Sequence, residues 1–271
     1  MGFSLPFTFY LFTFLIPASY NTRIVLHTSV EMNWPCAGAS MIQAIFFDFN
    51  GVIIDDEPLQ LKAYQEALQS VGLTLGEEQY YNSLGMDDRT FIRAAFERSG
   101  QPLNDDVMAS LIERKTELHR KEIEDELPLF PGVVTFVRAA SRHFGVGLVS
   151  MARRVEIEHV LERARLRESF NVVVSAEDAH ACKPDPCCYQ RALELLNERR
   201  GNERKLPLLP AECLVIEDAP PGIEAGRRAG MRTLGVTNTV REGELRAAGA
   251  DVVTMSLADW TVDAVRHVFD V

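Results

Sequence analysis

The chain has 271 residues, 46% hydrophobic and 25% charged. That is the balance of an ordinary soluble globular protein, long enough for one large domain or one domain with an insert. A net charge of −11 excludes a general nucleic-acid surface, which needs a basic footprint; it does not exclude phosphate substrates, because local charge decides those.

The first 40 residues stand apart. "FSLPFTFYLFTFLIPAS" is apolar and aromatic, and Arg23 is the first basic residue. A secretory signal normally carries charge ahead of its apolar core. A transmembrane helix needs about 20 apolar residues, and Pro6 and Pro17 bracket a shorter run. Residues 1–40 are therefore read as an N-terminal extension outside the fold, either an upstream translation artefact or a disordered segment. Met41 is then the start. A signal or anchor is the alternative. No membrane partner is expected.

From there the elements alternate. "AIFFDF" (44–49) is a continuous apolar run, as expected for a strand buried on both faces of a parallel sheet. It ends on Asp48, followed by Asn50, Gly51 and Asp55. From about Pro58 to Glu126 the pattern is helical throughout. One helix places Leu61, Tyr64, Leu68 and Val71 on one face, with Gly72 as its C-terminal cap. A second buries Phe91, Ile92, Ala95 and Phe96 and stops at Gly100. A third starts at the N-cap Asn104. The lysines of this insert, Lys62, Lys115 and Lys121, read as exposed. Pro128 and Pro131 mark the return to the sheet.

A helix over 132–142 and a strand over 144–150 follow, the latter ending on Ser150. A helix over 153–166 leads to a third strand (171–178). "CKPDP" holds Lys183 just before Pro184, and a helix begins at Asp185 as N-cap. Residues 197–210 read as a polar, proline-rich surface loop. "CLVIED" (213–218) is a fourth strand and "RTLGVT" (232–237) a fifth. This alternation predicts the α/β class: a doubly wound parallel sheet with a small inserted helical cap. The five cysteines, Cys36, Cys182, Cys187, Cys188 and Cys213, match no zinc spacing. Reduced thiols and a cytoplasmic location are expected.

Open α/β sheets bind ligands outside the carboxyl ends of their strands. Those ends carry Asp48, Ser150, Lys183, Glu217 and Asp218. Singly, each has a structural explanation as a cap or a salt-bridge partner; their order and placement together fit phosphoryl chemistry. A carboxylate can attack phosphorus and form an aspartyl phosphate. A hard cation held by Asp48 and Asp218 would neutralise the phosphate charge. Lys183 and the Ser150 hydroxyl can hold the phosphoryl oxygens, and Gly51 lets backbone amides come close.

The segments "DFNGVIIDDEP", "LVSMARR", "ACKPDPCCY" and "VIEDAPPGIEAGRRAGM" resemble the four motifs of the haloacid dehalogenase superfamily. The resemblance covers 41–271 and is closest to the β-phosphoglucomutase and phosphoglycolate phosphatase-like branch. It implies a core at 41–57 and 127–271 and a helical cap at 58–126. It implies Asp48 as nucleophile, Ser150 as phosphate-binding hydroxyl and Lys183 as stabilising lysine. It also implies Mg²⁺ on Asp48, Asp218, the Asn50 backbone carbonyl and Glu217.

The family's usual residue two after the nucleophile is an Asp that moves the proton. Asn50 departs from this, and an amide cannot shuttle a proton near neutral pH. Asp55, Asp56, Glu57, Asp87 and Asp88 are candidate replacements. In "LGMDDRTF" (84–91), Arg89 is a candidate grip for a substrate carboxylate or second phosphate. The alternative is that Asp87 or Asp88 caps the next helix and Arg89 is exposed. The expectation is a Mg²⁺-dependent phosphohydrolase for a small phosphorylated metabolite, monomeric or weakly dimeric. A sugar-phosphate mutase, or a low-turnover binding relative, is the alternative.

Overall fold

The computed structural model describes residues 41–270. The expectations for 1–40, Cys36 included, lie outside the described residues. Six strands form one sheet: β1 (Ala44–Phe47), β2 (Gly145–Val149), β3 (Val172–Val174), β4 (Cys213–Glu217), β5 (Arg232–Val236) and β6 (Val252–Thr254). All pair in parallel, in the order β3-β2-β1-β4-β5-β6. The sequence reading found five of these. The sixth is three residues long and only half-buried, so no continuous apolar run betrays it.

Ten α-helices and four short 3-10 turns complete the described chain. Four of them lie between β1 and β2, ahead of the return to the sheet: α1 (Glu57–Gln69), α2 (Glu77–Tyr81), α3 (Asp88–Ser99) and α4 (Asp105–Glu122). Then come α5 (Val133–Ala140), α6 (Arg154–Arg163), α7 (Cys187–Asn202), α8 (Pro220–Arg228), α9 (Glu242–Ala248) and α10 (Val262–Phe269). The sheet is covered on both faces because its side chains alternate. Ile45, Phe47, Leu148 and Ile216 enter one apolar cluster, whereas Ala44, Phe46, Val149 and Val215 enter the other. Helices α1–α4 pack on a cluster of their own, around Tyr64, Leu68, Phe91, Phe96 and Leu111.

Local chemistry sets the helix ends. Asp87 and Asn104 accept from the Thr90 and Val107 amides at 2.7 and 2.8 Å, capping α3 and α4. Gly100 closes α3 at φ 70°, the left-handed conformation that glycine adopts at least cost. Three expectations shift. Helix α1 ends at Gln69 with Ser70 as its cap, and Gly72 makes its left-handed turn two residues later. Helix α7 begins at Cys187 after Pro186; Asp185 reaches forward to the Cys187 amide at 2.9 Å without being the cap residue. The expected loop at 197–210 is helical through Asn202, because Glu and Arg sustain a helix and two arginines suit its last turn. Asn197 then ties down the remaining loop through both backbone groups of Leu208.

The passage into and out of the helical insert is pinned by backbone bonds. The Asp55 amide donates to the Pro128 carbonyl at 2.7 Å and the Phe130 amide to the Ile53 carbonyl at 3.2 Å.

Candidate active site

The strand order reverses at β1, where β2 departs on one side and β4 on the other. That switch point is where such sheets open a crevice at their carboxyl ends. Register then does the placing. Phe47 is paired with Ile216 and Leu148, so the residues just beyond arrive together. The Asp48 amide donates to the Ile216 carbonyl at 3.0 Å, and the Ser150 amide to the Val174 carbonyl at 3.0 Å. Lys183 comes in after β3. Its Nζ donates to Asp48 Oδ1 at 2.7 Å, Glu217 Oε1 at 2.6 Å and the Val149 carbonyl at 3.3 Å. Five residues distant in sequence, Asp48, Ser150, Lys183, Glu217 and Asp218, thus line one cavity.

Its electrostatics are one-sided. Carboxylate oxygens of Asp48, Glu217 and Asp218 lie within 4.8 Å of one another, with Lys183 as the cation in contact with them. Burial, then the Glu217 charge, push Asp48 up to about 7 against the pull of Lys183. Burial and the charges of Glu217 and Asp48 hold Asp218 well above the usual carboxylate range. Lys183 moves up as well: its burial disfavours the charge, but Asp48 and Glu217 outweigh that. Such an all-oxygen, electron-rich set fits a hard divalent cation. The Asn50 carbonyl accepts no hydrogen bond among the described residues, which leaves a neutral oxygen beside this set.

Glu217, expected to help hold the metal, also bonds its neighbours in the site. Its Oε1 accepts from Lys183 and from Tyr189 at 2.7 Å, and its Oε2 accepts from the Asp218 amide at 3.2 Å. Oε1 thus holds Lys183 in place, while the carboxylate stays in the group with Asp48 and Asp218. A Cβ on Gly222 would stand 1.8 Å from Glu217 Oε1, so the glycine of "APPGIEAG" makes room for that carboxylate.

Gly51 is a correction. Its amide donates to the Ile54 carbonyl at 2.9 Å and is spent inside its own turn rather than offered to a phosphate. The residue takes φ 73°, and a Cβ there would lie 1.9 Å from Asp218 Oδ2. Gly51 therefore serves the site by letting Asp218 approach the loop after β1.

The Asn50 amide nitrogen donates to both Asp56 oxygens, at 3.0 and 2.9 Å. A carboxylate only accepts, so the orientation is fixed and Oδ1 is the end left for the cavity. Asp56 is itself fully buried and hydrogen-bonded to His119 of α4 at 2.8 Å. That removes Asp56 from the candidate proton donors. Asp55 is exposed and Asp87 is occupied as a cap, and neither lines the cavity.

The wall opposite the strand tips comes from the helical insert, and here the sequence reading missed most. Lys115, expected to be exposed, is 2% exposed and lines the cavity. Its Nζ lies 3.2 Å from Asp88 Oδ1 and 3.1 Å from Oε1 of Glu156 in α6. These charges raise Lys115 even though burial alone would lower it. A signal existed: Met108, Leu111, Ile112, Lys115 and His119 share the buried face of α4 at helical spacing. Lys62 is exposed as expected, paired with Glu122. Arg89 is exposed in the first turn of α3 and does not line the cavity, because its neighbour Asp88 takes the inward position.

Glu57, at the start of α1, also lines the cavity. Tyr80 donates its hydroxyl to Glu57 Oε2. No lysine, arginine or histidine nitrogen among the described residues pairs with Glu57. Burial, then the Asp56 charge, push it up to about 8.

The family model for haloacid dehalogenase-like hydrolases matches residues 42–230. The chain belongs to this family. A phosphorylated carbohydrates phosphatase of Thermotoga maritima is 30% identical over 217 residues, covering 77% of this chain and 92% of that protein. Hexitol phosphatase B of Escherichia coli is 30% identical over 223 residues, covering 81% and 95%. In fold, β-phosphoglucomutase from Clostridium difficile matches with a TM-score of 0.73 over 85% of this chain and 98% of its own, at 21% identity. That last likeness shows the fold alone. As a haloacid dehalogenase-like hydrolase with phosphatase relatives, the chain is an enzyme of the phosphatase kind. Among the described residues no helix is long and apolar enough to cross a membrane.

Proposed function

We propose that the chain is a Mg²⁺-dependent phosphohydrolase for a small phosphorylated sugar, working through a phosphoaspartyl intermediate on Asp48. The observation that carries this reading is Asp48 at the β1 tip, bonded to Lys183 inside a carboxylate group too rich in negative charge to stand without a cation. The phosphatase relatives support the substrate class. Enzymes of this family generally use Mg²⁺. Asp48, Asp218 and the Asn50 carbonyl would hold the ion, with Glu217 adding charge behind Lys183. When bound, the ion offsets the repulsion between carboxylate and phosphate.

Lys183 holds Asp48 Oδ1, leaving Oδ2 as the attacking atom. As the Oδ2–P bond forms, the bond from phosphorus to the sugar oxygen breaks. Lys183 and the Ser150 hydroxyl steady the phosphoryl oxygens. The leaving oxygen takes its proton from Glu57, a carboxyl of the cavity that burial and the Asp56 charge raise to about 8, because Asn50 has none to give. A water then attacks phosphorus, returns a proton to Glu57 and releases inorganic phosphate from Asp48. Asn50 counts against a mutase, which must move protons at the sugar in both directions.

Residues 58–126 act as the cap, and 41–57 with 127–271 as the core. The cavity between them measures about 90 Å³, against roughly 300 Å³ or more for ordinary small-molecule pockets. The cap therefore opens for entry and closes to exclude water. The four described cysteines are free thiols, which supports a cytoplasmic setting.

The test is phosphate release from a hexitol phosphate and from acetyl phosphate, with Mg²⁺ and with chelator, beside Asp48→Ala. Chelator-sensitive release that falls to background in the variant is the expected result. Absence of release from folded wild-type protein overturns the phosphatase reading in favour of a binding role.

A further inference from the structure

The phosphate end of the cavity is accounted for by the strand tips. The opposite end is built from α1, α3 and α4, and its charge and hydrogen-bonding state say what it receives. Lys115 is the cation there, and it faces two carboxylates, Asp88 and Glu156. Arg89 is exposed and outside the cavity. Arg153, which precedes α6 and reaches across to α4, is spent on Glu113 at 2.7 Å and Thr116 at 3.0 Å. The cap end therefore sums to negative, with no positive group left for a second anion.

Two acceptors on this wall lack partners. Asp88 is 6% exposed, and its Oδ1 takes both the Tyr64 hydroxyl and Lys115. Its Oδ2 is buried with no hydrogen bond among the described residues. Gln60 is 4% exposed and donates its amide nitrogen to Asp56 Oδ2 at 3.1 Å, which fixes the amide orientation. Its Oε1 is likewise buried and unpartnered. Buried acceptors are nearly always satisfied in native proteins, so two orphans on one cavity wall call for donors from outside. Phosphate and carboxylate groups bring only acceptors; sugar hydroxyls bring donors.

We propose that the cap wall selects monophosphates of an uncharged, hydroxyl-rich body, whose hydroxyls donate to Asp88 Oδ2 and Gln60 Oε1. It rejects substrates that end in a second phosphate or a carboxylate. This rests on the phosphatase reading of the same site and narrows it. Asp88 and Gln60 become the specificity-determining residues, in place of the expected Arg89.

The experiment compares kcat/KM of the full chain with Mg²⁺ on sorbitol 6-phosphate, fructose 1,6-bisphosphate and phosphoglycolate, with p-nitrophenyl phosphate as reference. The expected preference for the polyol monophosphate is roughly 10²-fold or more, the scale reached when buried polar groups are left unpaired by the wrong substrate. Asp88→Asn is expected to raise the bisphosphate rate relative to the reference, and Gln60→Leu to raise KM for sorbitol 6-phosphate. Calorimetry on Asp48→Asn with the same three ligands reads the ranking without turnover and covers any folding defect in the cap variants. Equal or tighter binding of the bisphosphate or phosphoglycolate overturns the inference. If no ligand is turned over but the calorimetric ranking holds, the phosphatase reading fails and the selectivity stands. Hydrolysis with no preference fails the selectivity alone.

Discussion

The two walls of the cavity are built on opposite principles. The strand-tip wall gathers residues whose backbones are locked by parallel register, and it concentrates opposite charges around Lys183. The cap wall gathers side chains from three helix faces and spends its cation inside the protein, on Asp88 and Glu156. The first wall carries three carboxylates around one lysine, a set that on the proposed reading takes a cation and with it a phosphate. The second neutralises its own lysine and keeps acceptors in reserve. On the proposed reading, the contrast separates the part of the site that performs the reaction from the part that chooses the substrate.

Variants at Glu57 break this contrast most sharply, since Glu57 joins the cap wall to the chemistry. Glu57→Gln is expected to lower kcat on sugar phosphates about 10²- to 10⁴-fold, the usual worth of a general acid. Acetyl phosphate, whose leaving group needs no proton, should lose far less. The acid acts in its protonated form, so wild-type kcat should fall as pH rises through about 8, where Glu57 loses its proton. That alkaline limb should vanish in the variant. A pH–rate profile on both substrates checks this, and an equal loss on both would remove Glu57 as the donor.

Lys115→Met tests whether the cap lysine is structural. It strips the partner from two buried carboxylates, Asp88 and Glu156, a change that typically costs about 3–5 kcal/mol. Denaturant unfolding should show that loss, with the m-value unchanged. Gly51→Ala probes the strand-tip wall. The left-handed backbone and the overlap with Asp218 predict about 1–3 kcal/mol of strain and a raised Mg²⁺ requirement, read by titrating Mg²⁺ against activity. Arg89→Ala sits at the small end. Its side chain is exposed and off the cavity, so kcat/KM on every substrate should stay at the wild-type value. A selective loss on the bisphosphate would restore it as an anion grip.

The strand-tip wall was readable along the chain because period and position are local properties. An apolar run ending in Asp48, another in Ser150 and a third in Glu217-Asp218 say where strands stop, and in parallel sheets strands stop on one edge. The order β3-β2-β1-β4-β5-β6 then brings those ends together. The position of Asn50 after Asp48 was equally plain, and so was the absence of a proton at that place. What the chain did not disclose was which of several acids answers for it. Only packing sets a half-buried Glu57 against Tyr80 without a cation, ties Asp56 to His119 and leaves Asp87 as a cap. Lys115 looked like any exposed helical lysine, because the carboxylates that keep it buried and charged come from α3 and α6, 27 and 41 residues away (115 − 88 and 156 − 115). Burial of a charge is decided by its partners, and partners distant in sequence meet only in the fold. Glu217 and Gly51 teach the same lesson at shorter range. Their residue types suited metal and phosphate, and only the fold shows that one also bonds Lys183 and that the other leaves room for Asp218 by lacking a side chain.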